Sequence, residues 1–124
     1  MNWTLDKSRP ICPQLCELIC VAVANGTFTP GEKLLSVREI ALAAGVNPNT
    51  VQKSFEELER RGVIHSVRCS GWYVNNNVDD AASVQVDSLR TQKTREYLAA
   101  MAQLGCTPEE IAAYLKECQE AEYE

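Results

Sequence analysis

The side chains in this chain that could do chemistry are hydrogen-bonding and cationic. Ser36, Arg38, Asn47, Asn49, Thr50 and Lys53 fall in one short stretch, and Arg68, Ser70 and Gly71 follow soon after it. Asn presents a donor and an acceptor that match the N6/N7 edge of adenine. Arg can take the O6/N7 edge of guanine or a phosphate, and Thr can meet a thymine methyl. Bond-making chemistry has no comparable set. The only histidine, His65, sits among strand-forming residues with no nucleophile beside it in the chain; a general base needs such a partner. There is no phosphate-binding loop and no nucleophile elbow. The composition therefore points away from an enzyme, and no cofactor is expected.

Cysteine is the other reactive residue type. Cys12, Cys16 and Cys20 recur at every fourth position, and Cys69, Cys106 and Cys118 are scattered. The first three could form a thiolate cluster for a metal or a redox signal. They could equally be small apolar residues beside a buried helical face. No histidine or fourth ligand accompanies them and no paired C-x-x-C spacing occurs, which favours the second role. No metal site is expected, and in a cytosolic chain the thiols would be reduced.

The elements that must position the polar set are legible from Ser36 to Val74, SVREIALAAGVNPNTVQKSFEELERRGVIHSVRCSGWYV. Ser36 and Glu39 form an S-x-x-E capping box. Val37, Ile40, Ala41 and Ala44 then share a helical face. Gly45 stands where a helix end takes a left-handed residue. Asn47 suits an N-cap and Pro48 the first helical position after it. Val51, Phe55 and Leu58 repeat at helical spacing and leave Asn49, Gln52, Lys53 and Glu56 on other faces. After Gly62, the residues Val63, Ile64 and Val67, then Trp72, Tyr73 and Val74, are strand formers around a Cys69-Ser70-Gly71 tip. Helix, tight turn, helix and hairpin make a winged helix-turn-helix, in which the second helix enters the major groove.

The flanks read as scaffold and appendage. Met1 to Arg9 is an irregular or short extended lead-in, and the alternation of Trp3 and Leu5 allows a short strand added to the wing. Pro10 to Asn25 is a helix burying Ile11, Leu15, Leu18, Ile19, Ala22 and Val23. Asn75 to Asp80 is polar and turn-prone, a natural hinge. Two helices follow, one over Ala82–Gln103 and one opened by the Thr107-Pro108-Glu109-Glu110 box. Their apolar stripes, around Tyr97 and Met101 and around Ile111 and Leu115, are too small to form a core alone. Pairing with a second copy about a two-fold axis is the economical solution; folding back on the same chain is the other. The expected fold is thus mainly α with a small β-wing: residues 1–77 a winged helix-turn-helix, residues 78–124 a two-helix dimerisation hairpin.

The net charge of −5 is unusual for such a module, but it is unevenly spread. Through Asn77 there are eight Lys/Arg and seven Asp/Glu, a balance of +1; from Val78 onward there are four and ten, a balance of −6. The acidic excess lies in the tail. A balance of +1 is still low beside the basic patch that usually marks a DNA-binding unit, and it suggests modest affinity per subunit. No apolar run of about eighteen residues and no basic-then-apolar leader is present, so a cytosolic chain with no membrane partner is expected.

The segments PICPQL, NGTFTPGEKLLSVREIA, GVNPNTVQKSFEELERRGVI and SGWYV, in that order and spacing, resemble the N-terminal domain of GntR-type bacterial transcription regulators. The likeness covers about Pro10 to Val74, and the short helical tail is similar to that of the YtrA subgroup, which lacks the large effector domain of other branches. The resemblance implies a homodimeric regulator, a repressor at a palindromic operator on double-stranded DNA. It implies DNA contacts from Arg38 in the S-x-R segment and from Asn47, Asn49 and Thr50. No effector can be named, and any small-molecule site would lie at the hinge or between subunits. Three positions depart from the pattern. Pro48 replaces a frequent arginine, so a sequence preference does not carry over. Leu35 replaces a common proline, and Cys69 replaces the first of two wing glycines, where a cysteine does not readily take positive φ. The competing expectation is a winged helix used for protein–protein contact, without specific DNA binding.

Overall fold

The computed structural model describes residues 1–76 and 79–123. The elements are α1 (Ile11–Ala24), α2 (Val37–Ala44), α3 (Pro48–Arg60), β1 (Ile64–Val67), β2 (Gly71–Val74), α4 (Asp79–Gln103) and α5 (Pro108–Tyr123). The fold is the winged helix expected from the sequence: helices with a small two-stranded antiparallel sheet.

One core unites the first three helices and the wing. Leu15 and Ile19 from α1, Ile40 from α2, Val51, Phe55 and Leu58 from α3, and Val63, Ile64 and Val74 from the wing region are all buried in it. Apolar side chains of this size contribute about 1.5–3 kcal/mol each on burial. The inner face of α3 is thereby anchored, and its outer face is free to carry polar residues. Trp72 packs edge-on against Phe55, ring centroids 5.2 Å apart, and ties the wing to α3. Cys16 and Cys20 lie inside this core and Cys12 at its edge. Burial pushes the Cys16 thiol up to about 12 and raises that of Cys20. The Cys16 thiol donates to the Ser54 carbonyl at 3.6 Å. These two cysteines act as small apolar residues whose thiolates the core suppresses.

The lead-in takes the irregular one of its two expected forms. Residues 1–9 form no strand. Instead Gln14 reaches back from α1: its Oε1 accepts from the Asp6 N–H at 2.8 Å, and its Nε2 donates to the Asp6 carbonyl at 2.8 Å. That leaves the Asp6 backbone unavailable to a sheet. Trp3 is buried in the core, stacked on Phe28 with centroids 6.5 Å apart, so its position in the chain reflects core packing and not strand alternation. The segment that does join the wing is 31–34. Gly31 N–H donates to the Val74 carbonyl, Val74 N–H to the Glu32 carbonyl and Leu34 N–H to the Trp72 carbonyl, each at 2.9 Å.

The wing pairs Ile64 with Val74, His65 with Tyr73, Ser66 with Trp72 and Val67 with Gly71. Its tip is therefore Arg68-Cys69-Ser70, one residue earlier than expected, because Gly71 already belongs to β2. Asn75, expected in a hinge, is pinned. Its N–H donates to the Val63 carbonyl at 3.0 Å, its Nδ2 donates to the Gly62 carbonyl at 2.7 Å, and its Oδ1 bonds His65 Nδ1. Asn77 and Val78, within the same expected hinge, lie outside the described residues.

The chain divides into two compact units, Met1–Asp87 and Ser88–Glu124. Val86, on α4, joins the core of the first. In the second unit the Thr107 box forms in full: Thr107 Oγ1 accepts from the Glu110 N–H at 3.2 Å, and Glu110 Oε1 accepts from the Thr107 N–H at 3.3 Å. Among the described residues no helix is long and apolar enough to cross a membrane.

Candidate nucleic-acid interface

The helix-turn-helix is fixed by side-chain caps. Ser36 Oγ accepts from the Glu39 N–H and Glu39 Oε1 accepts from the Ser36 N–H, both at 3.1 Å. The Ser36 hydroxyl keeps its own proton for an outside acceptor such as a phosphate. Gly45 ends α2 in the left-handed region at φ 68°. Asn47 Oδ1 accepts from the Asn49 N–H at 2.8 Å and starts α3. Capping uses one lone pair of the Asn47 oxygen, and its amide NH₂ is unbonded among the described residues. Asn49 is exposed with its side chain unbonded among the described residues, and Thr50 is half-buried beside it. Lys53 follows one turn later, exposed.

Arg38 is exposed in the first turn of α2. Its neighbour Glu39 is occupied by the capping box, and Arg38 makes no ion pair among the described residues. The cations elsewhere in the unit behave differently. Arg60 and Arg61 both bond Glu57, at 2.5 and 2.9 Å, and Arg9 bonds Asp6 at 3.0 Å. The hydrogen bond from Arg60, ahead of that from Arg61, holds the Glu57 carboxyl down at about 2. The net charge of +1 therefore hides a division. Among the described residues, the side chains of Arg38, Lys53, Arg68, Lys7 and Lys33 have no hydrogen bond or ion pair.

Lys7 and Lys33 were not singled out by the sequence. The Lys7 ammonium lies 3.0 Å from the point where a Cβ would project from Gly45, at the turn between α2 and α3. There it also faces the negative end of the α2 dipole. The Lys33 stem crosses Gly71 in the wing, its Cε 3.1 Å from the corresponding point. Neither placement carries a local signal, because each depends on which glycine the folded chain brings alongside.

At the wing tip Cys69 takes φ 63°, the only positive φ among the described non-glycine residues. Ser70 Oγ and Tyr73 Oη share a 2.5 Å hydrogen bond that braces this turn, so the Ser70 hydroxyl is partly engaged. Arg68 is exposed next to it. His65 stacks on Tyr73 and bonds Asn75, which is a structural role. In the second unit Tyr97 and Leu115 are exposed, Met101 is half-buried and Ile111 is already buried.

Residues 14–74, the core helices through the wing, match the family described as bacterial regulatory proteins, gntR family. The HTH-type transcriptional repressor YtrA of Bacillus subtilis (strain 168) is 31% identical over 111 residues, covering 90% of this chain and 85% of the relative. The chain belongs to the GntR family. A GntR family transcriptional regulator from Listeria monocytogenes superposes with a TM-score of 0.71 at 34% identity, over 91% of this chain and 98% of that one. The AraR DNA-binding domain, solved in complex with operator ORX1, superposes with a TM-score of 0.52 at 27% identity, over 56% of this chain and 86% of that one. The protein is a GntR-type transcriptional regulator with a DNA-binding helix-turn-helix domain, and not an enzyme.

Proposed function

We propose that this GntR-type regulator is a homodimeric repressor that reads an inverted-repeat operator in the cytoplasm. The observation that carries the proposal is the set of unpaired polar and cationic groups on a rigidly capped helix-turn-helix: Arg38 with its acidic neighbour committed elsewhere, and Asn49 and Lys53 free on α3. In this scheme α3 enters the major groove. Asn47, Asn49 and Thr50 meet base edges, and Arg38 takes a guanine edge or a phosphate. Ser36 and Lys53 contact phosphates, and Arg68, Ser70 and Gly71 bring the wing to the backbone or minor groove. AraR, a structural neighbour, binds operator DNA, and YtrA is a repressor; both support the assignment.

Dimerisation through the tail rests on the apolar side chains left uncovered there. Tyr97, Leu98, Tyr114 and Leu115 are exposed on α4 and α5, Leu115 at 52%. Ile111, at 7% exposure, is already covered within the chain and leaves those exposed positions to carry the interface. One feature favours the alternative of a protein-contact module: Leu42 stands 79% exposed on α2. Titration with a short mixed-sequence duplex across about 50 to 200 mM salt separates the two. A DNA reader making about 6–10 phosphate contacts loses roughly 10³–10⁵ in affinity over that range. Weak binding that ignores salt would contradict the DNA assignment.

A further inference from the structure

Lys33 lies outside the helix-turn-helix, yet the fold lays it on the wing. It pairs with Tyr73 in an antiparallel bridge, and paired residues project to the same face of a sheet. Tyr73 is in turn opposite His65. The other face carries Trp72 and Val74, which pack on the core, so Lys33 stands on the outer face. From there its stem runs along the sheet towards the tip. Its Cε and Nζ lie 3.1 and 3.9 Å from where a Cβ would project from Gly71, two residues nearer the tip than Tyr73. Gly71, at φ 140°, leaves the room that this path needs. Among the described residues no acid pairs with the ammonium.

We propose that Lys33 is a phosphate contact of the wing, acting beside Arg68 to seat the tip on the DNA backbone. The proposal rests on the DNA-binding function above. An ammonium is a point charge without the planar fork of arginine, so Lys33 adds affinity on any sequence and carries no base preference.

The test is a salt titration of the full chain and three variants on the same fluorescein-labelled mixed-sequence duplex. Lys33→Gln is expected to weaken binding and to reduce the slope of log affinity against log salt by about 0.9 per bound copy, with an unchanged melting temperature. Lys33→Arg should keep the slope. Lys93→Gln, which removes a tail lysine 3.9 Å from Glu96, should also keep it. A steep wild-type slope that Lys33→Gln leaves intact would overturn the proposal. So would an equal loss in Lys93→Gln, which would mean net charge and not contact, or a fall in melting temperature that accounts for the lost affinity. A wild-type chain with no salt-dependent binding would instead remove the DNA-binding function, and Lys33 with it.

Discussion

Arg38 is exposed and unpaired, whereas its neighbour Glu39 is committed to a cap. The capping box takes the Glu39 carboxylate back to the Ser36 N–H, so a residue that could have formed a surface ion pair serves the backbone instead. The same chain shows the opposite outcome at Glu57, where no cap competes and two arginines converge. Arg38→Ala should therefore cost on the order of 1–3 kcal/mol in specific binding. Thermal stability should hardly change, since the side chain is exposed and unpaired. Parallel melting and binding curves check this; a large drop in melting temperature with normal affinity would assign Arg38 a structural role. At this scale the sequence was informative where the rule is local. Ser36, Gly45 and Asn47 announce their caps by type and spacing. Lys7 and Lys33 do not, because their positions are set by glycines distant in the chain.

The wing shows how far pattern alone reaches for an element. Its two strands follow from β-rich runs, but the tip register depends on where the ladder stops, and Gly71 turns out to be inside it. The third segment comes from elsewhere in the chain. Alternation at Trp3 and Leu5 resembles a strand, yet Gln14 captures the Asp6 backbone and the core captures Trp3. Residues 31–34 take the edge instead. Cys69 is a different case. The sequence posed the question by placing cysteine at a glycine position, and the structure answers with φ 63°. A non-glycine residue in the left-handed region carries a cost of about 1–2 kcal/mol. Cys69→Gly should relieve part of that cost, raise the melting temperature slightly and keep or improve DNA binding. Loss of binding in this variant, with the wing still folded, would show that the thiol itself is required.

Over the whole molecule charge is unevenly spread along the chain. The unpaired Lys7, Lys33, Arg38, Lys53 and Arg68 lie before Asn77, where the balance is +1, and the balance from Val78 onward is −6. Val86 belongs to the core of the first unit, so a fragment ending at Asp87 retains every side chain of that core. What the fragment lacks is the tail with exposed Tyr97, Leu98 and Leu115. If the tail joins two copies, losing it turns one two-site event into two weak ones, with a drop in affinity of roughly 10²–10⁴. Selection of bound duplexes from a random pool, run at low salt on the full chain and on the fragment ending at Asp87, tests the central claim most directly. The full chain should enrich an inverted repeat with a fixed spacing between half-sites, and the fragment a single half-site more weakly. A full chain that enriches no inverted repeat would contradict the two-fold operator function.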